Sequence, residues 1–297
     1  VKLKMQLDKN YFLNLKKPLV LDGPMGTLLI ERGIDLGSKL WSALALINAP
    51  DEVSKIHNDY IEAGADIITT NTFRTNPYAV KSSNTKYSSK ILVNKAVLLA
   101  RESIAKSKRK ILIAGSNAPA DDCYLTKRLI SKNELIENHQ LHIQNLIEAG
   151  VDFILNETFG DQEEIEIVCA ICKEVNFPFA VSLLINSELK TFFGQDLLET
   201  IEMIYNFEPI FISLNCSRPE LILRALEILK EYQPLGVYPN LGSIASFQSG
   251  KLVRDFSDIH LKLFIKELID YGVKVIGVCC GGNPDDIKTI RNIIDSL

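Results

Sequence analysis

Little in this sequence runs to excess, and several absences narrow what the chain can do. Cysteine is sparse, six in 297 residues. That is too thin a set to staple a fold, so the reading is of free thiols in a reducing compartment. Neither sign of charge dominates: 33 Lys and Arg against 37 Asp and Glu give a formal net charge of −4. The two signs interleave without a basic stripe, which removes electrostatic support for a nucleic-acid partner or an anionic membrane surface. No run approaches the roughly 18 apolar residues of a spanning helix. The opening "VKLKMQLDKNYFLNLKKPLV" is broken by charges and lacks the apolar run and small-residue cleavage site of a signal peptide. The expectation is a cytoplasmic protein with no membrane and no nucleic acid among its partners. No Gly/Ser/Pro-rich linker divides the chain, so residues 1–297 are read as one domain.

What is present is regular. Hydrophobic residues make up 46% and charged residues 24%, ordinary for a globular protein. Eight short apolar runs alternate with longer segments of helical period: "PLVLDG", "ADIITTNT", "ILIAGSN", "VDFILNET", "PFAVSLLI", "PIFISLNC", "LGVYPNLG" and "VKVIGVCC". Most are near-continuous in apolar residues, as parallel strands covered by helices are. Between them stands helix grammar. "APDEVSKIHNDYIEAGAD" opens on Pro50 and acidic residues and ends at Gly64; "SKNELIENHQLHIQNLIEAGVD" has Ser131 and Glu134 at capping-box spacing and Gly150 at its exit. "DQEEIEIVCAICKEV", "RPELILRALEILKEY", "DIHLKLFIKELIDYGV" and "NPDDIKTIRNIIDSL" are amphipathic at period 3.6. Eight such alternations predict an α/β fold, a single (β/α)8 TIM barrel. An open doubly wound sheet is disfavoured because no Gly-rich phosphate fingerprint follows the first strand.

Chemistry on such a barrel sits at the C-terminal ends of the strands. Those ends carry Asp22, Asn71, Ser116 with Asn117, Glu157, Asn215 with Cys216, Asn240, and Cys279 with Cys280. A lone free cysteine is usually a small buried apolar residue. Three of them at two strand ends are better read as thiolate ligands of a metal, zinc being the ion that takes three protein ligands and leaves one position open. Adjacent cysteines point to opposite faces on a regular strand, so the strand must end before the pair, and Gly281–Gly282 gives the backbone that freedom. "CAIC" offers Cys169 and Cys172 inside an amphipathic helix, where i and i+3 share a face; core packing is the reading there, and Cys123 has no role. His57, His139, His142 and His260 are read as helix-surface or satisfied core residues. Asp22 and Glu157 could cap the helices that follow them or receive a ligand ammonium group, and rim position leaves both open.

The residues so placed resemble the homocysteine S-methyltransferase family, which includes betaine–homocysteine methyltransferase, the S-methylmethionine-dependent enzymes and the N-terminal module of cobalamin-dependent methionine synthase. The resemblance runs from "DGPMGTLLIERG" through "LWSA", "HNDYIEAGADIITTNTFRTN", "NETFGD", "LNCSRPE" and "YPNLG" to "GVCCGGNPDDIKTIRN". It implies that Cys216, Cys279 and Cys280 hold Zn2+, and that Asn240 can complete the shell as an exchangeable fourth ligand. It also implies that Asp22 and Glu157 hold the amino group of homocysteine, with Gly23, Asn71 and Asn215 completing the expected substrate pocket. The implied reaction is methylation of the homocysteine thiolate to give methionine. Two departures are visible: "GVCCGG" stands where the family has "GGCCGT", so Val278 and Gly282 replace Gly and Thr. The segment "NSELKTFFGQDLLETI" after the fifth strand has no clear counterpart to the family's glycine-containing loop.

The methyl donor is bounded by length. Eight strand–helix units consume nearly all 297 residues, since such barrels take about 250, and no room is left for a folate or cobalamin domain. A small sulfonium, S-methylmethionine or S-adenosylmethionine, is the expected donor, ahead of betaine. The alternative is methyl delivered by a separate corrinoid carrier protein, because "TNTF" and "YPN" look like the methionine synthase module whereas "LWSA" looks like the single-domain enzymes. A barrel lyase is disfavoured by the lack of a phosphate loop or Schiff-base lysine, and a closed zinc scaffold would need a fourth tight ligand.

Overall fold

The structure is a computed structural model that describes residues 7–242 and 254–297. Residues 1–6 and 243–253 of the expected single domain lie outside the described residues. Each of the eight expected runs forms a strand: β1 (Leu19–Val20), β2 (Ile67–Thr69), β3 (Leu112–Asn117), β4 (Phe153–Phe159), β5 (Phe179–Leu183), β6 (Ile212–Asn215), β7 (Leu235–Tyr238) and β8 (Val275–Ile276). All pair in parallel, in the order β1-β8-β7-β6-β5-β4-β3-β2. A parallel bridge from Leu21 to Ile67 joins the two ends and closes the sheet into a (β/α)8 barrel.

The helices begin and end where the local chemistry dictates. Pro50–Ala63 starts on its proline and stops at Gly64, whose φ of 115° a side chain would strain. Lys132–Ala149 carries the full capping box between Ser131 and Glu134 and exits at Gly150. Among the described residues no helix is long and apolar enough to cross a membrane.

Alternation along the strands sorts side chains into two cores. Val20, Ile68, Ile113, Ile154, Val181, Ile212, Val237 and Ile276 face the helix layer. Leu21, Ile67, Leu112, Ala114, Phe153, Leu155, Ala180, Phe211 and Val275 fill the barrel interior. A short helix that the sequence reading did not single out, Lys9–Leu13, closes the interior from below; Asp8 caps it by accepting the Tyr11 N–H at 2.8 Å. Its Phe12 is fully buried, with its ring 5.0 Å from that of Phe211, which lies 5.9 Å from Phe153. Among the described residues the N-terminal end of the barrel is thereby closed by apolar side chains, an apolar floor opposite the polar rim at the other end.

Candidate metal centre and amino-acid pocket

The three expected cysteines converge. Cys216, Cys279 and Cys280 place their sulfur atoms within 4.8 Å of one another. Cys216 follows the last residue of β6 and takes φ +52°, a left-handed conformation that turns its side chain out of the strand's alternation. β8 ends at Ile276, so Cys279 and Cys280 lie past the regular strand, and Gly281 at φ +83° completes the turn. Within the trio, hydrogen bonds from Cys216 and Cys279 hold the Cys280 thiol well below its ordinary pKa, and the Cys279 and Cys280 contacts push Cys216 well above it. Cys169 and Cys172 are fully buried in the helix Gln162–Glu174, packed in the helix-layer core.

Two asparagines frame the trio, one through the cysteine backbone and one beside the Cys216 sulfur. Asn240 donates from Nδ2 to the Cys216 carbonyl at 2.8 Å and accepts the Cys280 N–H on Oδ1 at 3.1 Å, strapping together the two segments that carry the cysteine trio. Asn215, fully buried, accepts the Thr158 N–H at 3.1 Å and the Ser182 hydroxyl at 2.7 Å. Its Nδ2 donates to Thr158 Oγ1 at 2.8 Å and lies 3.4 Å from Cys216 Sγ. Thr158, which the sequence reading passed over, has φ +66°. A β-branched residue pays strain there, and Asn215 holds it and the left-handed Cys216 in one network. The signal in sequence was only the adjacency of Thr158 to Glu157.

The structure removes one of the two roles that rim position left open for the carboxylates. Neither caps a helix: the helix Met25–Glu31 starts at Pro24 without a side-chain cap, and Gln162–Glu174 is capped by Asp161. Asp22, 4% exposed, accepts the Thr69 N–H and the Thr69 hydroxyl, each at 2.9 Å. Glu157, 9% exposed, accepts the hydroxyl of Ser116 from the neighbouring strand. Burial pushes Asp22 up to about 8 against its Thr69 bonds, with Glu157 adding to the rise. Burial likewise pushes Glu157 up to about 7 against the Ser116 bond. Two carboxyl groups in one desolvated place, with no lysine or arginine paired to either among the described residues, are an arrangement that a small cation could satisfy.

Other rim residues divide. Asn71 donates to the Ser42 carbonyl at 2.9 Å, anchoring the "LWSA" turn Trp41–Leu44, while its Oδ1 is buried without a partner among the described residues. Gly23 lies so close to Tyr60 that a Cβ would sit 2.7 Å from the Tyr60 hydroxyl oxygen. Asn117 does not face the mouth with Ser116; alternation turns it into the helix layer, where its Oδ1 meets His142 Nδ1 at 2.8 Å and His139 Nδ1 at 3.3 Å. Both histidines are thus satisfied core residues, as is consistent with their place on Lys132–Ala149, whereas buried His57 has no partner on either ring nitrogen among the described residues. His260 is a surface residue bonded to Ser257.

A profile of the homocysteine S-methyltransferase family matches residues 19–294. The chain belongs to that family. Homocysteine S-methyltransferase 3 of Zea mays is 28% identical over 305 residues, covering 93% of this chain and 90% of that protein. The selenocysteine Se-methyltransferase of Brassica oleracea var. italica is 27% identical, covering 92% and 87%. The crystal structure of the homocysteine methyltransferase MmuM from Escherichia coli in its metallated form is similar with a TM-score of 0.81 at 26% identity, covering 95% of this chain and 98% of that one.

Within this S-methyltransferase frame the two departures from the family motif are a single feature. A Cβ on Gly282 would stand 2.4 Å from Val278 Cγ2 and 2.8 Å from Val278 Cβ. Valine at 278 therefore requires glycine at 282, and the pair leaves the cysteines between them undisturbed. The unmatched segment after β5 first makes two successive tight turns, closed by antiparallel bridges at Ile185–Thr191 and Lys190–Asp196, and its end enters the helix Leu197–Tyr205. It bends back over the end of β4, where Gly160 is so close to Phe192 that a Cβ would lie 2.5 Å from the Phe192 Cβ. Phe192 meets Tyr124, from the segment after β3, with ring centroids 5.9 Å apart.

Proposed function

We propose that this enzyme transfers a methyl group from a small sulfonium donor to the thiolate of L-homocysteine, forming methionine, with zinc held by Cys216, Cys279 and Cys280. The observation that carries the reading is the meeting, at one barrel mouth, of three sulfurs within 4.8 Å with two buried carboxyl groups. The donor set fits the ion: soft thiolates select zinc over the oxygen-seeking cations, and three protein ligands leave a place for a fourth. Asn240 Oδ1 is the fourth ligand we propose for the resting protein, to be exchanged for substrate. Zinc bound there would supply the positive charge that lets an incoming thiol, whose ordinary pKa of about 8.5 would keep it mostly protonated at neutral pH, release its proton to solvent.

The chain's own residues do the rest. Asp22 and Glu157 receive the ammonium group, and its charge offsets the burial that otherwise keeps them protonated. Gly23, Asn71 and Asn215 complete the pocket, Asn215 by fixing Cys216. The amino-acid end being anchored, the substrate sulfur is held at the cysteines. Its lone pair forms the new carbon–sulfur bond as the donor's carbon–sulfur bond breaks, and the donor departs as a neutral thioether. Anion and cation are both discharged in that step, and no side chain has to move a proton.

The test is methionine formation by the purified zinc-loaded protein, with homocysteine and either S-methylmethionine, S-adenosylmethionine or betaine, read by mass spectrometry. Methionine from a sulfonium without a second protein is the expected outcome. Methionine formed only after a methylated corrinoid protein is added would replace the donor and keep the acceptor half. No methionine under any of these conditions sinks the reading.

A further inference from the structure

The barrel mouth holds one polar group that none of these roles uses. Tyr238, the last residue of β7, is 4% exposed, and its hydroxyl is buried without a hydrogen-bond partner among the described residues. The strand fixes where it points. Tyr238 pairs with Asn215 in the β6–β7 register, and its carbonyl accepts the Cys216 N–H at 3.3 Å. Its ring belongs to the barrel-interior cluster with Ala180 and Phe211. The hydroxyl lies near enough to Glu157 to help hold that carboxyl down, and near Ser182 as well, yet it reaches the distance and angle of a formed hydrogen bond with neither. Ser182 has already committed its proton to Asn215 at 2.7 Å.

A buried hydroxyl with no partner is unfavourable, and phenylalanine would fill the same space without that penalty. A tyrosine there makes sense if its partner arrives with the ligand. We propose that Tyr238 is a third contact for the ammonium group of the amino-acid substrate, its hydroxyl oxygen accepting one N–H beside Asp22 and Glu157. The inference rests on the homocysteine reading above. An ammonium group carries three donors, and the two carboxylates account for two of them. The phenol proton is then free to turn to the second oxygen of Glu157, which tightens the hold of that carboxylate on its own N–H.

The experiment compares Tyr238→Phe with the unchanged protein, both zinc-loaded, by calorimetric titration with homocysteine and with 4-mercaptobutanoate, the same thiol acid without its amine. Zinc content and the ligand-free Tm are measured alongside. The variant should bind homocysteine roughly ten- to a hundredfold more weakly, the worth of a hydrogen bond to a charged group. It should bind 4-mercaptobutanoate as before, retain its zinc, and show an undiminished ligand-free Tm. Unchanged homocysteine affinity overturns the proposal, as does an equal loss for both thiols. A lowered ligand-free Tm also overturns it, because the hydroxyl would then be bonded in the resting protein. If the unchanged protein prefers homocysteine over 4-mercaptobutanoate by nothing at all, the amino-acid pocket is wrong, a failure distinct from that of Tyr238 alone.

Discussion

At the N-terminal end of the barrel, Phe12, Phe153 and Phe211 close the interior with rings alone. Further along the barrel, Ser116 of β3, Glu157 of β4, Ser182 of β5 and Asn215 of β6 fill the interior with hydroxyl, carboxyl and amide groups. β4 carries both materials, Phe153 at its start and Glu157 further along, on the same inward face. The floor gains from every buried contact, and Phe12, Phe153 and Phe211 all take negative φ. The mouth holds the left-handed Thr158 and Cys216 and two carboxyl groups kept from water. The contrast teaches that the strain and desolvation a reactive centre requires are tolerated because they sit at one end of strands secured at the other.

Three changes would break or sharpen that contrast. The largest effect belongs to the mouth: Cys280→Ser should strip the metal and abolish methyl transfer, since a serine hydroxyl keeps its proton and ligates poorly. Its circular dichroism should be unaltered, and Cys172→Ser, in the helix layer, should keep the metal. Full metal stoichiometry in Cys280→Ser, measured by atomic emission, removes the site. Next comes the floor. Phe12→Ala should lower unfolding stability by about 3–5 kcal/mol and leave homocysteine affinity and metal content alone. A denaturant titration beside a calorimetric one checks this, and lost affinity at unchanged stability would show that the two ends are not separable.

The smallest effect is a slope with pH. Asp22 at about 8 and Glu157 at about 7 lie above the ordinary 3.8 and 4.5 of such groups. Between those limits the folded protein keeps protons that the unfolded chain has released, so the contribution is fully present on the acid side and is lost as pH rises through the folded values. The metal- and ligand-free protein should therefore lose stability from about pH 5 to about pH 8. Asp22→Asn should flatten part of the slope, and homocysteine affinity should run the other way, rising as the carboxyl groups ionise. Thermal scans at several pH values read the first, and a Tm that climbs with pH in that window contradicts it.

The barrel was legible because its signals are local and repeated. Each strand is an apolar run, each of the two best-marked helices declares its start and stop, and Ser131 with Glu134 form the box that their spacing predicts. The cysteine trio was legible because strand ends in this fold have one address. What was lost depended on which way a side chain turns or on where a short segment docks. Asn117, one residue from Ser116, belongs to the opposite face and to His139 and His142. The helix Lys9–Leu13 is five residues long, and nothing within it says that Phe12 plugs a barrel. Tyr238 read as one more apolar strand residue, because only the neighbours assembled around its hydroxyl reveal that they leave it unpaired.

The touching pair Val278 and Gly282 also restricts how sequences of this kind can change. With valine at 278, a threonine at 282 would push its Cβ into a buried side chain at 2.4 Å, beside the two cysteines that matter most. With glycine at 278 that obstacle is absent. A lineage moving between the Gly–Thr and Val–Gly forms by single replacements can therefore travel only through a protein with glycine at both places, in either direction. The Val–Thr combination is a closed door, because a Cβ at 282 finds no space beside Val278.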